Sequence, residues 1–165
     1  MKSAQEFYNT TVKREVISVI VQNEDSVLSR ISNLFSARGY NIDSLTVAPI
    51  PNSNYSRFTI VTIGDARTID QIVKQLNKLV PILKVIEHKN GIEKDTVLIK
   101  IPINENLSDI DVLARAYNGA IQNVTQDAIV ISATDDPKRI LNFIKIIQKY
   151  NPIEIVRSGV VAMER

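Results

Sequence analysis

The sequence contains no cysteine and only one histidine. Without cysteine there is no disulfide, no thiolate nucleophile and no cysteine-type zinc site, and nothing points to an oxidising compartment. A histidine-based metal site or a serine triad would have to be built around His88 alone. His88 stands in VIEHKNG, at the end of an apolar segment before a glycine turn, and is expected there as a solvated strand-end residue. No apolar run approaches the roughly 20 residues that span a bilayer. The opening MKSAQEFYNTTVKRE lacks the apolar core of a secretory signal, so a cytoplasmic location is expected. Neither sign of charge dominates: 20 basic and 18 acidic residues give +2, spread evenly, which argues against nucleic acid or a membrane surface as partner. GxGxxG, P-loop and GxSxG motifs are absent. No catalytic residue, metal ligand or cofactor is therefore assigned to this chain.

What remains is an ordinary globular composition, 44% apolar and 23% charged over 165 residues, with room for one domain or two small ones. Residues 1–14 are polar and aperiodic and are expected as a flexible N-terminal arm. Residues 16–22 (VISVIVQ) are nearly all apolar and β-branched, as in a strand buried on both faces. Val27, Leu28, Ile31, Leu34 and Phe35 then fall on one face of a helix, with Asp25 or Ser26 placed to cap its start and Arg38-Gly39 suited to its end. Strands are expected at 41–49 and 55–64 around the turn-forming PIPNSN. A second helix is expected from Arg67 to Val80, burying Ile69, Ile72, Val73, Leu76 and Val80, and a strand at 82–87 follows.

The polar, glycine-containing 88–95 reads as a hinge, after which the order repeats. Strand 96–103, helix 108–117 and strands 119–124 and 126–133 come next. A helix opening at Asp136-Pro137 with Ile140, Leu141, Ile144 and Ile147 on its apolar face follows, and 153–161 is the closing strand. The expectation is an α+β chain of two tandem ferredoxin-like βαββαβ domains, 15–88 and 96–165, joined by a linker at 89–95. Units of about 70 residues are marginal alone, so an oligomer is expected.

The loop Asn23-Glu24-Asp25-Ser26-Val27-Leu28 joins the first strand to the first helix. Backbone N–H groups at a helix start can hold a carboxylate with help from the helix dipole. The Asn23 amide can bind a ligand's polar atoms, and Tyr40-Asn41-Ile42, read as opening the next strand, offers a second amide. Together they suit a small zwitterion with an apolar side chain. The competing reading is that Asn and Asp at such a junction only cap the helix.

These residues carry a resemblance. VISVIVQNEDSVLSRISNLFSARGYNIDSLTVAP resembles the start of the regulatory (small) subunit of acetohydroxyacid synthase, also called acetolactate synthase, with its N-E-x-G-x-L-x-R and F-x-x-R-G-[YF]-N-I-x-S-L-x-V patterns. SRFTIVTIGD, QIVKQLNKLVPILKV and the closing IEIVRSGVVAMER are similar to later family motifs; the match is specific over 15–85 and looser over 104–123. The resemblance implies that 15–88 is an ACT domain, a module that binds amino acids at dimer interfaces. It implies a large catalytic partner that uses thiamine diphosphate, magnesium and usually FAD to make acetolactate in branched-chain amino-acid synthesis. It further implies that this chain is a homodimer that raises the partner's activity and confers feedback inhibition, usually by valine. The family's loop glycine is Ser26 here and the small residue after it is Val27, both bulkier where an effector is expected. The first helix of the second domain is also shorter and altered. Alternatives are an activator that has lost effector sensing and a free-standing ACT-type amino-acid-binding protein.

Overall fold

A computed structural model describes residues 11–103 and 106–165. The elements among the described residues are β1 (Lys13–Gln22), α1 (Val27–Ala37), β2 (Ser44–Pro49), β3 (Tyr55–Gly64), α2 (Ala66–Asn77) and β4 (Ile82–Glu87). They continue with β5 (Ile92–Pro102), α3 (Leu107–Ala116), β6 (Gly119–Val124), β7 (Ala128–Asp135), α4 (Pro137–Ile147), a 3-10 turn (Gln148–Tyr150), β8 (Glu154–Arg157) and β9 (Val161–Met163). The first sheet has the strand order β2-β3-β1-β4 and the second β6-β7-β5-β8, with β9 paired to β5 off that path. The neighbouring strands along both orders run antiparallel. Both are the ferredoxin-like arrangement that the element order predicts.

The described residues up to Gly91, together with Ala162–Arg165, form one compact unit, and Ile92–Val161 form another. In the first, Ile17, Val19 and Val21 of β1 and Phe58 and Ile60 of β3 meet Val27, Ile31, Leu34 and Phe35 of α1 and Ile69, Ile72 and Leu76 of α2. In the second, alternate residues of β5 and β7 pack on Ile110 and Ala114 of α3 and Ile140, Phe143 and Ile147 of α4. Each large aliphatic side chain taken from water in this way contributes about 1.5–3 kcal/mol.

α1 ends in a Schellman turn. The N–H of Tyr40 donates to the Phe35 carbonyl (2.9 Å) and that of Gly39 to the Ser36 carbonyl (3.2 Å). Gly39 supplies the required φ of 67°. The Phe35 and Tyr40 rings meet edge to face at 6.2 Å and close the motif.

Several expectations are corrected. Neither Asp25 nor Ser26 caps α1, which starts with no side-chain cap hydrogen bond; Ser26 instead takes a left-handed conformation, φ 76°. Asn41 and Ile42 precede β2 rather than opening it. α2 stops at Asn77, and Val80 lies 94% exposed in the turn that follows, because Pro81 prevents the helical spacing from continuing. In α4 the buried positions are Ile140, Phe143 and Ile147, whereas Leu141 is exposed, as the i, i+3, i+7 face requires. The closing strand is two short strands interrupted at Ser158–Val160. Lys13 and Arg14 are in β1 rather than the N-terminal arm, and Ile92–Asp95, read above as linker, begin β5. Residues 1–10 of that arm lie outside the described residues.

His88 is the largest departure. It is buried, with Nε2 2.7 Å from Ser18 Oγ. Its Nδ1 lies 2.8 Å from Glu164 Oε1, a close approach that is not aligned as a hydrogen bond. The C-terminal residues cover it. Arg57 donates to the Ala162 carbonyl (3.2 Å), and a Cβ at Gly91 would stand 2.9 Å from the Met163 carbonyl, so only glycine allows that approach. Ser18 and Arg57 alternate with the core residues of β1 and β3. The tail therefore crosses the sheet face away from the helices.

Candidate functional site

The loop after β1 is fixed from one side by the start of β3. β1 and β3 are antiparallel neighbours with Gln22 opposite Tyr55, so the end of one strand lies beside the beginning of the other. The Asn23 N–H donates to the Asn54 carbonyl (2.9 Å) and the Glu24 N–H to the Gln22 carbonyl (2.9 Å). The Ser56 hydroxyl donates to Asn23 Oδ1, which leaves the Nδ2 group of Asn23 as the donor available to a ligand. Gln22, Asn23, Glu24, Asn54 and Tyr55 line a shallow cavity of ≈ 310 Å³.

At the far side of the loop, α1 begins on the left-handed Ser26, with no acidic residue in its first turn. Its first N–H groups carry the positive end of the dipole, and no acidic side chain of the first turn offsets it. The Ser26 carbonyl accepts from the Arg30 N–H (3.0 Å), the first helical bond.

The sequence-expected residues divide by burial. Asn23, Glu24, Asp25 and Ser26 are exposed, and Leu28 projects outward, 49% exposed. The Val27 side chain points the other way, into the first core, so only its backbone can face an effector. Asn41 is exposed and its carbonyl accepts from the Thr62 hydroxyl (2.6 Å), while Ile42 packs against the core of its own unit. Asn41 is thus tied to the Thr62 end of β3 and Asn23 to the Ser56 end. Six residues of strand separate these ends, about 20 Å. One chain brings 23–28 together and holds Asn41 and Ile42 away from them. Gln22, Asn54, Tyr55 and Ser56 were not expected at the site. The signal for them was the ferredoxin-like order itself, which makes β1 and β3 neighbours.

No acid–base pair or nucleophile lines this cavity. Among the described residues, no group of three or more His, Cys, Asp or Glu side chains is placed to hold a metal ion. Ser18, His88 and Glu164 have the connectivity of a triad, but Ser18 is fully buried and no substrate can reach it.

The family model for the ACT domain of acetohydroxyacid synthase small subunits matches residues 17–84, and that for the small subunit of acetolactate synthase matches 94–165. The chain belongs to the acetolactate synthase small-subunit family. The acetolactate synthase small subunit of Buchnera aphidicola subsp. Schizaphis graminum is 38% identical over 156 residues, covering 92% of this chain and 99% of that protein. The isozyme 3 small subunit of Escherichia coli is also 38% identical, covering 92% and 96%. The crystal structure of the small subunit from Thermotoga maritima matches with a TM-score of 0.84 at 35% identity, over 93% of this chain and 98% of that one. The first unit is accordingly an ACT domain, and the chain is a non-catalytic, regulatory-type subunit whose family name implies a large catalytic partner. The match through both units excludes a lone ACT module. Among the described residues no helix is long and apolar enough to cross a membrane.

Proposed function

We propose that this chain activates the catalytic subunit of acetolactate synthase and, through its ACT domain, makes that subunit responsive to a branched-chain amino acid, valine first. The observation that carries this reading is the 23–28 loop. It presents the Asn23 amide beside a cavity of ≈ 310 Å³ at one end and the open N-terminus of α1 at the other. A helix start binds the effector's carboxylate, the exposed Leu28 offers an apolar contact to its side chain, and Glu24 offers a carboxylate to its ammonium group. Asn41 and Ile42 stand at the other end of β3. The effector site is therefore completed by a second copy of the chain, whose Asn41 and Ile42 face residues 23–28 of the first. Homodimerisation and effector binding are one event in this reading. The partner, and with it this chain, is placed in the cytoplasm. Thiamine diphosphate, magnesium and FAD belong to the partner in this reading.

Light scattering combined with calorimetry on the full chain tests the reading. A dimer at micromolar concentration that binds valine, with binding lost in Asn23→Ala and in Asn41→Ala, is the expected result. A monomer, or valine binding indifferent to both substitutions, would overturn the interfacial site. A dimer that activates the partner and binds no valine would leave the activator role without sensing.

A further inference from the structure

The outer surface of the ACT domain carries a second feature, separate from the effector loop. A groove of ≈ 370 Å³ runs where α1 and α2 meet, with Leu34 and Leu79 on its floor and Arg30, Arg38 and Lys78 on its walls. All three cations are exposed, and no acidic residue lines the groove. Arg38 is held by the neutral Gln75, Nη2 to Oε1 at 3.1 Å. Arg30 and Lys78 make no ion pair among the described residues, in contrast to Lys74 one turn away, which is bound to Asp70 at 2.7 Å. α1 itself, VLSRISNLFSA, contains no acidic residue at all.

We propose that this groove is a docking site for an acidic segment of the large catalytic subunit. The inference rests on the reading above that such a subunit is the partner. Three positive charges around an apolar strip attract a chain that places carboxylates on either side of an apolar side chain, and repel a basic one. Arg38, pinned by Gln75, is pre-oriented for a two-pronged grip on a carboxylate. The walls are all exposed, whereas small-molecule sites enclose most of their ligand. The groove has no aromatic side chain on which a base could stack, as single-stranded nucleic acid requires. A protein surface is the occupant that remains. None of residues 23–28 lines the groove, so partner docking and effector binding can occupy the same domain at once.

The test uses the full chain and the purified catalytic subunit, with association measured by calorimetry and acetolactate formation assayed in parallel. Arg30→Glu/Lys78→Glu is the main variant and Arg30→Glu alone the second, because Lys78 also stands at the C-terminal end of α2. Arg67→Glu, outside the groove, is the control. The expected result is association at least about tenfold weaker in the double variant, a smaller loss in the single variant and none in the control. Wild-type association should weaken with added salt more steeply than that of the double variant. Circular dichroism of both variants should stay unchanged. Wild-type association and activation in the double variant would overturn the proposal and show that Arg30 and Lys78 take no part in docking. So would loss of binding to inorganic phosphate or to a single-stranded oligonucleotide in the variant without loss of the partner. If the wild-type chain itself fails to activate, the activator reading falls instead.

Discussion

Ser18 Oγ lies 2.7 Å from His88 Nε2, a buried contact between residues 70 positions apart, and it fixes the strand end from which the C-terminal residues are held. His88 extends the pairing of β4 with β1 by one residue, its N–H donating to the Val16 carbonyl at 2.9 Å. Glu164 approaches from the tail, 2.8 Å from Nδ1. The chain leaves the first unit at Gly91 and returns to it at Ala162.

Ser18→Ala leaves a buried ring nitrogen without its partner. It should cost about 1–3 kcal/mol in urea unfolding, and His88→Ala at least as much through the added cavity. Glu164→Gln, half exposed at the tail, should cost under about 1 kcal/mol. If all three variants unfolded at the wild-type urea concentration, the buried contact would have no part in holding the unit together.

Ser26 and Val27 separate into two effects that composition alone merges. Ser26 sits at φ 76°, where an L-residue with a Cβ is disfavoured by about 1–2 kcal/mol. Ser26→Gly should raise stability by about 1 kcal/mol and, by opening the helix start, tighten valine binding at least about fivefold. Val27 is a core residue. Val27→Ala should cost about 1.5–3 kcal/mol and leave valine affinity near wild type. Calorimetry on the two single variants separates these outcomes. An affinity gain from Val27→Ala would place that side chain in the site after all.

The second unit contains an acid-sensitive corner. Burial opposes ionisation of Asp135, but bonds from Arg139 (2.5 Å), the Asp136 N–H (2.8 Å) and Lys94 (3.2 Å) outweigh it and hold its pKa at about 2. The folded value lies below the ordinary one of 3.8, so the carboxylate's contribution is complete at neutral pH. It fades as pH falls from about 4 through about 2. Asp135→Asn should destabilise by about 1–2 kcal/mol at pH 7, and the gap to wild type should close near pH 2. A gap constant from pH 7 to pH 2.5 in urea titrations would contradict this.

Much of this architecture is legible in the residues themselves. The β-branched runs 16–22 and 96–101 and the helical spacing of Ile31, Leu34 and Phe35 state their partners directly, because burial of those faces is what makes the fold stable. The misreadings are positions where a periodic pattern continues past its physical end. Val80 matches the α2 face but follows the helix terminus, and Leu141 matches α4 yet sits beside the face that Phe143 fills. His88 looked solvated because the residues that bury it come from the far end of the chain. The 23–28 loop was legible from capping chemistry, whereas its hold on Asn54 and Ser56 depends on the register of β1 with β3. No local pattern could show that α1 keeps Asn41 at the opposite end of the strand.

The central claim is that this chain acts on another subunit's catalysis. Acetolactate formation by the purified catalytic subunit, with and without a saturating amount of the full chain, tests it most directly. The chain alone should form no acetolactate, and the mixture should form it faster than the catalytic subunit alone, with valine lowering the added rate weakly. A mixture no faster than the catalytic subunit by itself would contradict the account.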